Sequence, residues 1–196
     1  MDLALSTISP GATRMIRLDH SHVLVTFHRY KIDTNPRVKQ GLVDTICTAL
    51  EIHAQLEEES FYPAIREVTD NEAIRKSVPE HDEMRRLIGL LRGMQPGDAA
   101  YDGTFMELMR DVLHHVADEE TVLLPAAQRL MPERLHALGA QVTRRRMELA
   151  VPRAGEIAGN MMRAMPASTL ALVTAAVSGA CLATWLGRRS RFPIHR

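Results

Sequence analysis

The sequence predicts an all-α protein: an antiparallel up-and-down four-helix bundle over residues 13–130, then a fifth amphipathic helix and a C-terminal hydrophobic helix. Three observations carry this expectation. Apolar residues recur at helical spacing in four successive stretches separated by turn residues. No stretch shows convincing strand character. A twelve-residue block, HAQLEEESFYPA from His53 to Ala64, returns as HVADEETVLLPA from His115 to Ala126. The His, two Glu, the Pro and the final Ala match at a constant offset of 62, as duplication of a helical hairpin would produce. Four helices on short joints read as an antiparallel bundle.

The first helix spans about Thr13 to Lys31, on Ile16, Val23, Leu24 and Phe27, and ends at the turn residues DTNP, Asp33 to Pro36. The second runs from about Arg37 to Arg66, with Leu42, Ile46, Leu50 and Phe61 on its buried stripe, and stops at TDN, Thr69 to Asn71. Ile74, Val78, Met84, Ile88 and Leu91 mark the third, where Ser77 and Glu80 stand at capping-box spacing and a restart or kink is expected near Pro79. GMQPGDAAYDG is a loop, and the fourth helix follows from about Thr104 to Leu130 on Leu108, Val112, Val122 and Ala126. Pro63 and Pro125 fall at equivalent places and should each bend or end a helix, because a proline removes one hydrogen bond. Asp19-His20 and Glu80-His81 repeat at an offset of 61, in keeping with the duplication.

Residues 131–163 read as an amphipathic helical extension, opening with Pro132 in its first turn. From Ala164 to Gly187 no residue is charged, and a helix of about 22 residues spans roughly 33 Å, enough for a bilayer core. Residues 164–187 are therefore expected to be a transmembrane anchor. Ala171, Ala175, Gly179 and Ala183 form a small-residue face suited to pairing two copies as a homodimer. Acidic and basic side chains balance at 24 each, so no global field draws nucleic acid, and the arginine run at Arg144 to Arg146 reads as a solvated helix face. Cys47 and Cys181 form no framework, and Cys47 reads as a buried thiol suited to a reducing compartment. With no basic start and apolar run at the N-terminus, the bundle is expected in the cytoplasm.

Residues four apart on a helix lie about 40° apart around its axis, so His53 points with Glu57 and His115 with Glu119. Both pairs continue apolar stripes, Ile46–Leu50–His53 and Leu108–Val112–His115, and therefore face the core. A carboxylate there is costly unless it is paired or holds a metal. His20 continues Ile16 and Leu24, and His81 continues Ile74 and Val78. Four imidazoles and two carboxylates thus make a dinuclear metal site, with Glu57 and Glu119 bridging. Ligand type alone suits iron, manganese or zinc. Glu58 and Glu120 lie about 140° from their His partners, as extra ligands or, by preference, on the solvent side or supporting the ligands from behind. Glu80 is read as a helix cap, Asp19 as orienting a neighbouring imidazole, and Tyr62 as a packing residue or, less readily, as lining the pocket of the site. His114 with Asp118 breaks the repeat, and His22, His28, His136 and His195 read as surface residues.

The segments LDHSHV, HAQLEEESFYP, EHDEMRRLI and HHVADEETVLLP resemble the hemerythrin-like, or HHE cation-binding, family over roughly residues 13–130. The resemblance implies two iron ions in a non-haem, oxo- or hydroxo-bridged centre with His20, His53, Glu57, His81, His115 and Glu119 as ligands. It implies chemistry with dioxygen, nitric oxide or peroxide, or the sensing of iron and oxygen. Oxygen-carrying members have a fifth His on the third helix, where this chain has Ser77 and Arg85 on either side of His81. That departure points away from a reversible carrier and towards sensing, scavenging or redox chemistry, binding being favoured over catalysis. The competing class is a membrane-associated adaptor bundle without redox chemistry. A metal phosphohydrolase built on His81-Asp82 would leave the duplicated blocks unexplained.

Overall fold

The computed structural model describes residues 11–166 and Thr169, and the regular elements among the described residues are all helices, with no strand. Helix α1 is Ala12–His28. Helix α2, Pro36–Leu56, starts with Pro36 in its first turn and an Asn35 side chain that accepts from the Arg37 N–H. It runs through a π-helical turn, Glu57–Phe61, into α3, Tyr62–Arg66. Helix α4, Glu72–Gly93, is capped by Asn71, which accepts from the Ala73 N–H. Helix α5, Tyr101–Asp118, passes through a second π turn, Glu119–Leu123, into α6, Leu124–Leu130. Two further helices follow, α7, Leu135–Ala150, and α8, Ala154–Arg163.

The two prolines of the repeated block do not end their helices, which run on past them. Each follows a π turn that opens at the repeated glutamate, Glu57 or Glu119, and the Tyr62 and Leu124 N–H groups donate five residues back to those glutamates' carbonyls. A proline ring collides with the carbonyl four residues earlier, and the wider turn gives it room. Pro79 does not break α4 either. The carbonyl it leaves free belongs to Arg75, an exposed residue open to water. Ser77, expected to cap a restarted helix, is buried and donates to the Ala73 carbonyl instead. The predicted fifth helix ends at Ala150, because the turn Val151–Arg153 carries Pro152 and opens α8.

Helices α1, α2, α4 and α5 pack side by side. Arg17 with Glu120 and Tyr30 with Asp102 join opposite ends of α1 and α5, so these run antiparallel. Glu58 with Arg85 and Glu51 with Arg92 do the same for α2 and α4. Two apolar clusters result. One gathers Val23, Leu50, Met84 and Val112, the other Ile16, Phe61, Ile74 and Leu123. On every rod an inner histidine falls between these two sets, so the clusters sandwich a single polar layer.

Helices α7 and α8 lie along α2, and α7 also packs on α1. The end of α8 comes so close to α2 that a Cβ built on Gly41 would stand 2.3 Å from the Ala164 nitrogen and 2.7 Å from the Arg163 Cβ. Alanine in a helix interior gains about 1 kcal/mol over glycine. Here the obstacle is backbone, and overpacking of this kind costs about 1–3 kcal/mol or more. Gly41→Ala is therefore expected to lower the melting temperature, and an unchanged or raised value would show that α8 does not seat there. No helix among the described residues is long and apolar enough to cross a membrane. The predicted anchor at 164–187 with its small-residue face, Cys181 and His195 lie, apart from residues 164–166 and 169, outside the described residues.

Candidate metal centre

All six residues singled out in the sequence meet in the polar layer, and none is more than 5% exposed: His20, His53, Glu57, His81, His115 and Glu119. Their inner atoms form two groups, each within 4.8 Å: His20, His53, Glu57 and Glu119, and Glu57, His81 and His115. Glu57 belongs to both. His20 Nε2 is 3.0 Å and His53 Nε2 4.0 Å from Glu119 Oε2, while His53 Nε2 is 3.2 Å from Glu57 Oε2. On the other side His81 Nε2 and His115 Nε2 are 3.0 Å apart, at 3.5 and 3.8 Å from the same Glu57 oxygen. His115 Nε2 also lies 3.6 Å from Glu119 Oε2.

The outer nitrogens are held as uniformly as the inner ones converge. His20 Nδ1 donates to Glu120, His81 Nδ1 to Glu58 and His115 Nδ1 to Glu80, each at 2.8 Å, and His53 Nδ1 to Asp19 at 3.3 Å. Each carboxylate comes from a neighbouring rod, so the four pairs close a ring around the polar layer. A carboxylate on Nδ1 fixes the tautomer and aims the Nε2 lone pair inwards. Glu58 and Glu120 therefore brace imidazoles rather than joining the inner groups, and Asp19 orients His53 as expected. Glu80 differs from its expected role: it does not cap a helix but holds His115.

Tyr62 is fully buried, and its hydroxyl stands 3.0 Å from Glu57 Oε2 and 2.9 Å from Glu119 Oε1. It is more than packing, because its one hydrogen serves the two central carboxylates. Burial, followed by the charges of Glu57 and Glu119, raises its pKa and keeps that proton on. The repeat could not signal this residue, since its counterpart is Leu124. Against the burial that would neutralise it, Glu57 is held well below the usual carboxylate range by the charge of His53 and by the closeness of the His115, His53 and His81 imidazoles. Burial also opposes charge on His53 and His115, yet Glu57, Asp19 and Glu119 raise the first. The closeness of Glu57, the bond to Glu80 and the charges of Glu119 and Glu57 raise the second to about 10.

A metal fits these residues by two tests. The donor set, imidazole nitrogen with carboxylate oxygen, is that of iron, manganese and zinc. Among the described residues the buried His53 Nε2 and Glu57 Oε1 have no hydrogen-bond partner, a cost that a coordinated cation removes. Beside the imidazoles lies a cavity of about 10 Å³, walled by the four histidines with Val23, Leu50, Met84 and Val112. A larger one, about 250 Å³, opens between α1, α2, α7 and α8 over Asp19 and Arg146.

A helical chain with a buried cluster of four His and two Glu is a metal-binding helical protein. Residues 11–127 match the hemerythrin HHE cation binding domain, and the chain belongs to that family. A DNA nickase of Nostoc sp. (strain PCC 7120 / SAG 25.82 / UTEX 2576) is 29% identical over 112 residues, which are 57% of this chain and 32% of the relative. The matched stretch thus spans about a third of that relative's length. No solved structure matches the chain.

Proposed function

We propose that the chain is a non-haem di-iron protein that binds or reduces a small oxidant, dioxygen, nitric oxide or peroxide, in oxygen, iron or redox sensing or scavenging. The observation that carries this reading is the membership of Glu57 in two buried groups of donors at once. His20, His53, Glu57 and Glu119 would hold one ion and Glu57, His81 and His115 the other, with Glu119 near enough to His115 to be shared as well. On this reading the four rods are the up-and-down bundle of the family. Iron bound there supplies the electrons and the open coordination that a small oxidant needs.

The chain's own residues set the conditions. The outer carboxylates hold all four imidazoles, so little reorganises when a metal or ligand arrives. The Tyr62 hydroxyl keeps a hydrogen-bond donor between the two central carboxylates. Apolar walls keep bulk water out, and the free space beside the imidazoles, about 10 Å³, is of the order of one water molecule. A space that small excludes an organic substrate beside the imidazoles. A cytoplasmic bundle tethered through residues 164–187 is part of the reading and rests on the charge-free length of that segment.

Nucleic acid is not part of it. The relative's printed activity belongs to a chain of which the match covers 32%. Many arginines here are already engaged, Arg85 with Glu58, Arg86 with Glu83, Arg145 with Glu59 and Arg153 with Glu51, so phosphates would have to compete with carboxylates. The test is metal analysis of the folded chain after anaerobic loading, followed by spectra with dioxygen, nitric oxide and peroxide. The expected outcome is about two iron atoms per chain and a spectrum that responds to at least one of them. Peroxide consumed no faster than by free iron would leave binding, without catalysis, as the function. A folded chain that takes up no iron sinks the proposal, and nicking of supercoiled plasmid by the loaded chain would overturn the exclusion of nucleic acid.

A further inference from the structure

Three of the four carboxylates that hold the imidazoles are themselves gripped by an arginine. Arg17 holds Glu120 at 2.9 Å, Arg85 holds Glu58 at 2.6 Å, and Arg146 holds Asp19. The first two arginines sit on α1 and α4. Arg146 sits on α7, beyond the matched residues 11–127. Its contact is also of a different kind: Nη1 donates to Asp19 Oδ1 and Nη2 to Oδ2, both at 2.5 Å, a two-pronged grip that fixes the plane of the carboxylate. Asp19 Oδ2 is the atom that accepts from His53 Nδ1. With Val142 one turn earlier, Arg146 also walls a small gap beside His53 and Glu57.

We propose that Arg146 is a positioning residue for the metal centre: its guanidinium fork fixes Asp19, which fixes His53, so the C-terminal helices govern how firmly the His20–His53 side holds its ion. This rests on the metal reading above. Two consequences of losing the fork oppose each other. An unpaired Asp19 carboxylate would attract a nearby cation, but the pair is partly exposed, 31% and 17%, and screening limits such an effect to about fivefold in affinity. Freed of its fork, Asp19 can turn to water and leave His53 unbraced, and loss of such a brace weakens metal binding by roughly 10–100-fold. Positioning therefore wins. The effect is one-sided, because His81 and His115 are held by Glu58 and Glu80, which Arg146 does not touch.

The experiment is competition with a chelator for cobalt(II) bound to the full chain, read by the visible absorption of each equivalent. Wild type is expected to release two equivalents. Arg146→Gln should loosen one of them by roughly tenfold and leave the other in place. Arg145→Gln, which removes a surface arginine from the same helix, should match wild type. Arg146→Lys keeps the charge without the fork and should not restore the lost affinity; it carries the same test should the glutamine variant not keep its helical circular dichroism. Unchanged release with only a lower melting temperature would mean that Arg146 is merely structural. Tighter retention would mean that charge governs, and equal loosening of both equivalents would remove the one-sidedness; each overturns the proposal. A wild-type chain that binds no cobalt would instead sink the metal reading itself.

Discussion

Glu57→Gln is expected to abolish uptake of both metal ions, whereas His20→Ala should cost only one. Glu57 is the one side chain that belongs to both donor groups, so its loss removes a ligand from each. Glutamine keeps the volume and an oxygen for the Tyr62 hydroxyl, so the substitution tests charge and coordination rather than shape. The chain without metal should suffer too, because Glu57 faces three imidazoles and offsets the positive charge raised on His53 and His115. Removing one partner of a buried ion pair costs about 3–5 kcal/mol. For a chain of this size that lowers the melting temperature by roughly 6–20 °C. Metal analysis with a thermal melt checks both parts. Retention of one full equivalent by Glu57→Gln would refute the sharing.

Much of the centre was legible because it lies on the stripes that build the core. His20 continues Ile16, His53 continues Leu50, His81 continues Val78 and His115 continues Val112, so the helical period that buries the apolar residues buries the histidines with them. The outer ring was half legible. Its members stand beside the inner residues in sequence, as Asp19-His20, Glu57-Glu58, Glu80-His81 and Glu119-Glu120, and they repeat as the inner residues do. Sequence spacing places Glu58 about 140° around the axis from His53, but the spacing holds no information on which rod stands there. That rod is α4, and the residue met is His81.

The misses share a cause, which is that backbone adjustments and packing partners are non-local. Pro63 and Pro125 look like helix ends, yet a π turn absorbs each because the flanking apolar faces are buried on both sides of it. Pro79 looks like a restart, yet α4 runs through it without interruption. Arg146 hid in a run of three arginines. Its place is visible in retrospect: Leu138, Val142 and Arg146 fall four apart, and the first two are buried on α7. A cation continuing a buried stripe asks for an anion beside it, and Asp19 is that anion.

Stripping the metal is expected to leave the chain folded at neutral pH and to make its stability fall as pH rises towards 10. The apolar clusters on either side of the polar layer do not depend on a cation. What changes is the proton load of the imidazoles. In the metal-free centre His115, ordinarily at 6.5, is raised to about 10. A raised pKa means that its contribution is complete below 6.5 and is lost as pH climbs through about 10, because the unfolded chain sheds its proton first. The loss is at most about 1.4 kcal/mol per pH unit in that window, and His53 is shifted in the same sense. Glu57, lowered, contributes fully above the ordinary carboxylate range and loses that only in acid, so it adds no slope between pH 7 and 9. With a metal on Nε2 the imidazoles have already given up that proton, and the loaded chain does not share the decline. The gap between the melting temperatures of loaded and stripped protein should therefore widen from pH 7 to 9, by roughly 4–10 °C. Zinc serves as the loading ion, since it brings no redox chemistry of its own. A gap that stays constant or narrows would mean that the imidazoles are neutral in the stripped chain.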